Sequence, residues 1–126
     1  MEYNFIRFAD ASPVLDFYTP VIIANNDFLE NRPETARNFI QATAQGYNFA
    51  MTNPREAAEI LLDAVPELSP ELIFASVEFL SDKFAPPGAR WGVFDERRWT
   101  AFYDWMYEQG IISVSLGNKG FTNAFL

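Results

Sequence analysis

Histidine and cysteine are both absent from this 126-residue chain. Without cysteine, the chain has no disulfide, no thiolate nucleophile and no cysteine-ligated zinc site. Without histidine, it lacks the commonest general base and the commonest transition-metal ligand, so its own residues cannot assemble a Ser-His-Asp or Cys-His site. Catalysis by this chain would therefore have to rest on carboxylates, lysine or tyrosine.

Positive charge is also scarce. Nine Lys and Arg stand against 17 Asp and Glu, which gives a net charge of −8. Because phosphate binding requires clustered Lys and Arg that release counterions, this balance argues against a nucleic-acid partner. The first ten residues, MEYNFIRFAD, show no basic segment followed by an apolar core, so no signal peptide is predicted in this chain. No apolar run approaches the roughly 20 residues that span a bilayer.

The composition is that of a folded domain, with 49% hydrophobic and 17% aromatic residues, and the length allows one domain at most. Two short strands are predicted near the start, one over residues 3–8 (YNFIRF) and a buried one over Pro20–Ala24 (PVIIA), with a loop at ADASPVLD between them. Proline fits the first position of a strand, because the missing N–H costs least there.

Helices are predicted for most of the remaining chain. Three of them carry proline near the start, and apolar residues recur at spacings of three and four. The predicted helices lie in NRPETARNFIQATAQGYNFAMT, in NPREAAEILLDAV with Asn53 as the N-cap, in SPELIFASVEFLSDKF with Ser69 as the N-cap, and over about Asp95–Gln109 with Gly110 after the end. Gly46 lies inside the first of these, which predicts a close packing contact there.

Ile111 and Ile112 are expected to fold back on the last helix, and the large apolar residues of the tail SVSLGNKGFTNAFL predict that the tail is packed rather than free. One or two short strands beside about four main helices do not make a complete sheet. A lone buried strand leaves its N–H and C=O groups without partners, so we expect the rest of the sheet to come from outside this chain.

Two groups of residues offer chemistry but have simpler interpretations. Acid pairs occur at Glu30 and Glu34, Glu56 and Glu59, and Asp95 and Glu96. A glycosidase-like pair would need two acids in one cleft, whereas positions in or beside first helical turns explain them as partners of the helix dipole. The run ARWGVFDERRW combines arginines with Trp91 and Trp99, which suits base stacking. Because the chain is acidic, we interpret Trp91 as a loop anchor, Trp99 as core and the arginines as solvated.

The segment DFYT, Asp16 to Thr19, is the best candidate for a binding site. It places two aromatic rings, a carboxylate and a hydroxyl directly before the predicted strand. Aromatic faces with a few polar groups are what a small planar ligand needs. The alternative is that Phe17 and Tyr18 only fill the core.

The order of the segments carries a family resemblance. FYTPVIIANNDFLENRPETARNFIQATAQGYNFAMTNPREAAEILLDAVPEL, then WGVFDERRWTAFYDWMYEQGII and a closing FTNAFL resemble the C-terminal part of type II periplasmic substrate-binding proteins of ABC importers. The chain looks most like the branch that binds the pyrimidine precursor of thiamine. The resemblance covers about Ile6 to Leu126.

This resemblance implies an α/β fold in which residues 1–126 are a single partial domain: the return crossover strand and the helix-rich C-terminal part of the first lobe. The N-terminal part of the first lobe and the second lobe would lie outside this chain. It further implies a non-enzyme that captures a small molecule between the lobes without a cofactor and delivers it to an ABC permease, from a periplasmic or lipid-anchored position. An isolated piece would pair its free strands between copies, as a homo-oligomer or an aggregate.

The resemblance also places Asp16, Phe17, Tyr18 and Thr19 where such proteins return from the second lobe beside the cleft. We expect these four residues to contact the ligand, Tyr18 foremost, by stacking or through its hydroxyl. No metal site is expected.

Three alternatives stay open. The first is that the chain is part of the related eukaryotic pyrimidine synthase, which resembles these binding proteins but uses a pyridoxal cofactor and consumes its own histidine; with no histidine here, all of that chemistry would lie elsewhere. The solute of a binding protein would otherwise be a sulfonate, nitrate or riboflavin-like compound. The third alternative is a self-contained helical interaction module.

Overall fold

The structure, a computed structural model, describes residue 4 and residues 6–86 and 88–126. Over these residues the chain forms six α-helices and one 3₁₀ turn, with no β-strand. They are α1 (Phe8–Ala11), the 3₁₀ turn (Pro13–Leu15), α2 (Asn26–Asn31), α3 (Pro33–Thr52), α4 (Pro54–Ala64), α5 (Pro70–Ser81) and α6 (Glu96–Glu108). Within this described part, no helix combines the length and apolarity that crossing a bilayer requires.

The four main helices that the sequence predicted are confirmed as α3 to α6. Proline occupies the first position of α3, α4 and α5, where its missing N–H would have no helical partner and its fixed φ suits the helix. At α6 the N-cap is Asp95, whose Oδ1 accepts a hydrogen bond from the backbone N–H of Arg98 at 2.9 Å. Helix α2, the short helix α1 and the 3₁₀ turn were not predicted.

Ser69 and Asn53 both occupy the predicted N-cap positions, of α5 and α4, but only one of them makes a side-chain cap bond. Ser69 does cap α5, its Oγ accepting from the Leu72 N–H at 3.5 Å. Asn53, in contrast, makes no side-chain bond to α4. Its Nδ2 donates to the Phe49 carbonyl at 3.3 Å and to Thr52 Oγ1 at 2.8 Å. Because Asn53 is the single residue between α3 and α4, its side chain serves the carbonyl end of the preceding helix.

The end of α6 has the predicted form. Gly110 adopts a φ of +69°, which residues with a Cβ rarely adopt. Its N–H donates to the Tyr107 carbonyl at 3.0 Å, and the Ile111 N–H donates to the Met106 carbonyl at 2.9 Å. This pair of bonds is a Schellman motif, so the chain folds back on the last turn of the helix as expected.

Neither predicted strand is present in the described residues. Of the segment 3–8, Tyr3 and Phe5 lie outside the described residues, and Phe8 begins α1. The segment PVIIA has no regular structure, and Val21, Ile22 and Ile23 are 43%, 50% and 88% exposed rather than buried. The physical reason is that a strand needs a neighbouring strand for its N–H and C=O groups, and the described part of the chain supplies none.

The chain divides into two units, and the first consists of residues 1–25 and 94–123. Its core is Trp99, which is 9% exposed. The rings of Phe94, Tyr103 and Phe121 lie 5.4, 4.5 and 5.2 Å from it between centroids. The indole N–H donates to the Lys119 carbonyl at 3.0 Å. Phe121 therefore packs the tail against the aromatic face of α6, as its apolar residues predicted.

The second unit consists of residues 26–93 and 124–126. Helix α4 packs along α5, and both contact α3. At the close contacts lie alanines: Ala36 is 6% exposed and Ala58 is fully buried. Tyr47 of α3 stacks on Trp91 with 4.6 Å between ring centroids and meets Phe84 edge-on at 5.0 Å. Trp91 is thus a loop anchor, as the sequence indicated.

Helix α5 leaves large apolar side chains uncovered. Leu72 and Phe79 are 63% and 64% exposed, and Ile60 on the neighbouring α4 is 56% exposed. Ile73, Phe74 and Val77 of α5 are only half-buried. Apart from the side with Glu71 and Glu78, apolar residues occupy most of the circumference of α5, which is typical of a helix that is covered on more than one side. The described residues of the chain do not provide that cover.

Gly46 does not make the close contact that the sequence predicted, since a Cβ built at this position meets nothing within 4 Å. We therefore expect Gly46→Ala to raise the free energy of unfolding by about 1 kcal/mol, because alanine favours a helix interior over glycine by that amount. Gly92→Ala in the same unit is the matched control. Gly92 has a φ of +86°, and its new Cβ would lie 2.9 Å from Leu126 Cδ2, so this variant should lose stability. Denaturant unfolding measures the free energy of unfolding of both variants. Equal changes would contradict the finding that a Cβ has room at Gly46 and not at Gly92.

Trp99→Phe tests the core of the first unit. The substitution removes the indole donor from the Lys119 carbonyl and shrinks the packed ring, so we expect a loss of about 2 kcal/mol in the free energy of unfolding. Trp105→Phe makes the same exchange on the same helix at a half-buried ring and should cost less than half as much. Thermal unfolding monitored by near-ultraviolet circular dichroism measures the difference; similar losses would show that Trp99 is not the centre of this core.

Candidate functional site

The predicted segment Asp16 to Thr19 lies in the first unit, between the 3₁₀ turn and residues 21–25, which have no regular structure. The Asp16 N–H donates to the Pro13 carbonyl at 3.2 Å, which ends the turn. Beyond this point the segment belongs to no helix, and the Thr19–Pro20 peptide bond is cis. Its position is set by side-chain contacts with α6 instead of by a regular backbone pattern.

Arg98 makes most of those contacts. Its Nε donates to the Asp16 carbonyl at 2.9 Å, and its Nη2 donates to Asp16 Oδ1 at 2.6 Å and to the Phe17 carbonyl at 3.4 Å. One planar guanidinium thus binds two consecutive carbonyls and a carboxylate, which the fixed fork of arginine allows and a lysine ammonium does not. The two side chains are 37% and 52% exposed, so the ion pair itself contributes about 1 kcal/mol or less to stability. Its main effect is on geometry.

Tyr18 is held at three points. The Arg98 guanidinium carbon lies 4.2 Å from the centre of its ring. The ring of Phe94 meets it edge-on at 4.8 Å. Its hydroxyl oxygen accepts a hydrogen bond from the backbone N–H of Asp95 at 2.8 Å. The hydroxyl proton is still available for donation, so Tyr18 retains one polar group for a ligand.

Beside this segment lies a partly open hollow of about 220 Å³ within the first unit. Its wall is formed by the segment and by the aromatic face of α6, where Phe102 stacks on Phe17 at 4.6 Å and 20°. The lining residues are Phe17, Tyr18, Thr19, Val21, Arg98, Trp99, Phe102 and Tyr103. Five of these eight residues are aromatic, and the lining residues also carry two tyrosine hydroxyls, one threonine hydroxyl and one guanidinium as polar groups.

The hollow suits the binding of a small flat molecule better than chemistry on it. Aromatic faces stack on planar rings, and the hydroxyls give direction through hydrogen bonds. The positive charge of Arg98 is already offset by Asp16, so the wall presents no unpaired charge to select an anion. Among the described residues, no three His, Cys, Asp or Glu side chains come together to hold a metal.

The structure brings three of the four predicted site residues to the hollow: Phe17, Tyr18 and Thr19. Asp16 does not line it, because its carboxylate is turned to Arg98. The prediction that the arginines are solvated is wrong for Arg98, whose guanidinium binds Asp16. No pattern in the sequence indicates this contact, because the two residues are 82 positions apart. The stripe Trp99, Phe102 and Tyr103 was visible in the sequence and was interpreted as core; it is core and wall at once.

The acid pairs singled out in the sequence are exposed, in agreement with their interpretation as surface groups near helix starts. Asp95 caps α6, and Glu96 accepts from Asn118 Nδ2 at 2.9 Å. At the end of α5 a hydrogen bond from the Lys83 ammonium lowers the pKa of Asp82, a fully exposed surface carboxylate.

A wider depression at the α3–α4 junction has no aromatic lining; its residues are Thr52, Asn53, Pro54, Arg55, Glu56 and Glu59.

Comparison with known proteins finds one matching family model and relatives that are binding proteins. The family model described as NMT1/THI5 like matches residues 1–57, which include the whole segment Asp16 to Thr19. The riboflavin-binding protein RibY of Chloroflexus aurantiacus is 25% identical over 136 aligned positions, which cover 100% of this chain and 37% of the relative. The formylaminopyrimidine-binding protein of Halalkalibacterium halodurans is 29% identical over 90 positions, 68% of this chain and 27% of the relative.

Both relatives are named as binding proteins for small molecules, and neither is named as an enzyme. The chain spans about a third of their length. These matches confirm the resemblance that the order of segments indicated: the chain is similar to substrate-binding proteins of the thiamine-precursor branch, through an NMT1/THI5-like segment at its start.

Proposed function

We propose that this chain is part of a two-lobed solute-binding protein of an ABC importer, and that the hollow beside Asp16 to Thr19 forms one wall of its ligand site. The observation that carries the proposal is the aromatic hollow itself. It is built from the segment that the sequence singled out and from the face of α6, and that segment lies within residues 1–57, which match the NMT1/THI5-like model.

The ligand we propose is a small planar heterocycle such as formylaminopyrimidine, a precursor of the thiamine pyrimidine. A volume of about 220 Å³ is below the roughly 300 to 1,000 Å³ of drug-sized pockets, which favours a single ring. Riboflavin is the second candidate, because the relative whose match spans this whole chain is named as a riboflavin-binding protein. Its larger ring system would need more wall than these residues provide.

The uncovered apolar surface supports the view that more protein surrounds this chain. Three large apolar side chains are each more than 60% exposed: Ile23 in PVIIA, and Leu72 and Phe79 on α5. We propose that the remainder of the first lobe covers them, that the second lobe closes over the hollow, and that an ABC permease receives the solute outside the cytoplasm. The lack of histidine and cysteine is compatible with a binder, which needs no catalytic group.

Tyr18→Ala should weaken binding of formylaminopyrimidine to the full-length protein about tenfold, because one stacking face is lost. Tyr107→Ala is the matched control, since Tyr107 lies on α6, is 47% exposed and does not line the hollow. Tyr18→Phe separates the two modes of contact: it keeps the ring and removes the hydroxyl. Isothermal titration, with riboflavin as a second ligand, measures the affinities. Equal affinity of Tyr18→Ala and the unsubstituted protein would exclude a contact role for Tyr18.

The isolated 126-residue chain should self-associate through the exposed apolar segment PVIIA, Pro20–Ala24. An exposed strand-forming sequence recruits another copy to satisfy its backbone groups. We expect a mass above that of a monomer in size-exclusion chromatography with light scattering, and a lower mass for Ile23→Lys. Val114→Lys places the same charge at an exposed β-branched residue elsewhere in the first unit and should change nothing. A stable monomer with a sharp thermal transition would contradict the proposal that the chain is part of a larger fold.

A further inference from the structure

We infer that Arg98 is a positioning residue for the ligand site: its guanidinium holds the segment Asp16 to Tyr18 in the conformation that forms the wall of the hollow. This inference rests on the proposed function and adds to it the residue that shapes the site before any ligand arrives. The family match includes the segment but not Arg98, because it ends at residue 57.

The contact set is what distinguishes Arg98 from an ordinary surface ion pair. Three of its hydrogen bonds end on Asp16 and Phe17, and two of the three acceptors are backbone carbonyls. Backbone acceptors fix the path of the chain itself, whereas a carboxylate at the end of a side chain does not. The guanidinium then covers the ring of Tyr18 at 4.2 Å, so three successive residues are bound by one group.

Arg98 is itself well placed to act as an anchor. It lies in the first turn of α6, next to Trp99, the buried residue of this unit. The helix is capped at the same turn by Asp95, whose own N–H binds the hydroxyl of Tyr18. The hydroxyl and the ring of Tyr18 are therefore both held by the first turn of α6. The segment has no regular structure of its own, and ordering it at the moment of binding would weaken affinity.

Arg98→Lys and Arg98→Ala test the inference, with Arg97→Lys and Arg97→Ala as matched controls. Arg97 is the adjacent, exposed arginine on the same helix and takes no part in these contacts. Arg98→Lys keeps the charge and loses the fork. We expect both Arg98 variants to bind formylaminopyrimidine about tenfold more weakly in the full-length protein, with slower association, at an unchanged melting temperature. The Arg97 variants should keep the affinity of the unsubstituted protein.

Limited digestion with chymotrypsin gives a readout that does not depend on the ligand. Cleavage after Phe17 and Tyr18, mapped by mass spectrometry, should be about tenfold faster in both Arg98 variants, because the segment opens more often. Equal cleavage rates for the Arg98 and Arg97 variants would overturn the inference, and so would full affinity in Arg98→Lys. If the unsubstituted protein binds neither formylaminopyrimidine nor riboflavin, the proposed function fails, and the cleavage rates alone decide whether Arg98 holds the segment.

Discussion

The contacts between the first turn of α6 and the segment Asp16 to Tyr18 are what the candidate site depends on. They join residues 77 to 82 positions apart through one guanidinium and one backbone N–H. After the Asp16 N–H, which ends the 3₁₀ turn, the segment has no helical or strand structure that would define its path, so its contacts with α6 hold the wall of the hollow in place. The cost of ordering the segment is then met during folding, which leaves the aromatic face ready for a ligand.

The same helix carries the core and the site. Trp99 is buried among aromatic rings, and it also lines the hollow together with Phe102 and Tyr103. A rigid core directly behind a binding surface keeps that surface in place, because closely packed rings leave little room for rotamer changes. The tail contributes to this through Phe121 and through the Lys119 carbonyl, so the C-terminal residues support the site without touching it.

The exposed apolar residues give the second constraint on this chain. Helix α5 is apolar over most of its circumference, apart from the side that carries Glu71 and Glu78, and Ile23 is 88% exposed in a segment without regular structure. Such surface is expected where another layer of a larger fold would pack, and both named relatives are about three times as long as this chain. In the two-lobed protein that we propose, this chain would form one wall of the solute site.

Local rules determined the helices from the sequence: prolines at their first positions, the caps at Ser69 and Asp95, and Gly110 at the end of α6 all act within a few residues. The segment Asp16 to Thr19 could also be identified from the sequence, since two adjacent aromatic residues are unusual in a loop. Only the tertiary structure decided that PVIIA has no partner strand among the described residues, that the Asn53 side chain bonds to the preceding helix and that Arg98 binds Asp16. Those outcomes depend on which distant groups meet, and neither spacing nor propensity encodes such meetings.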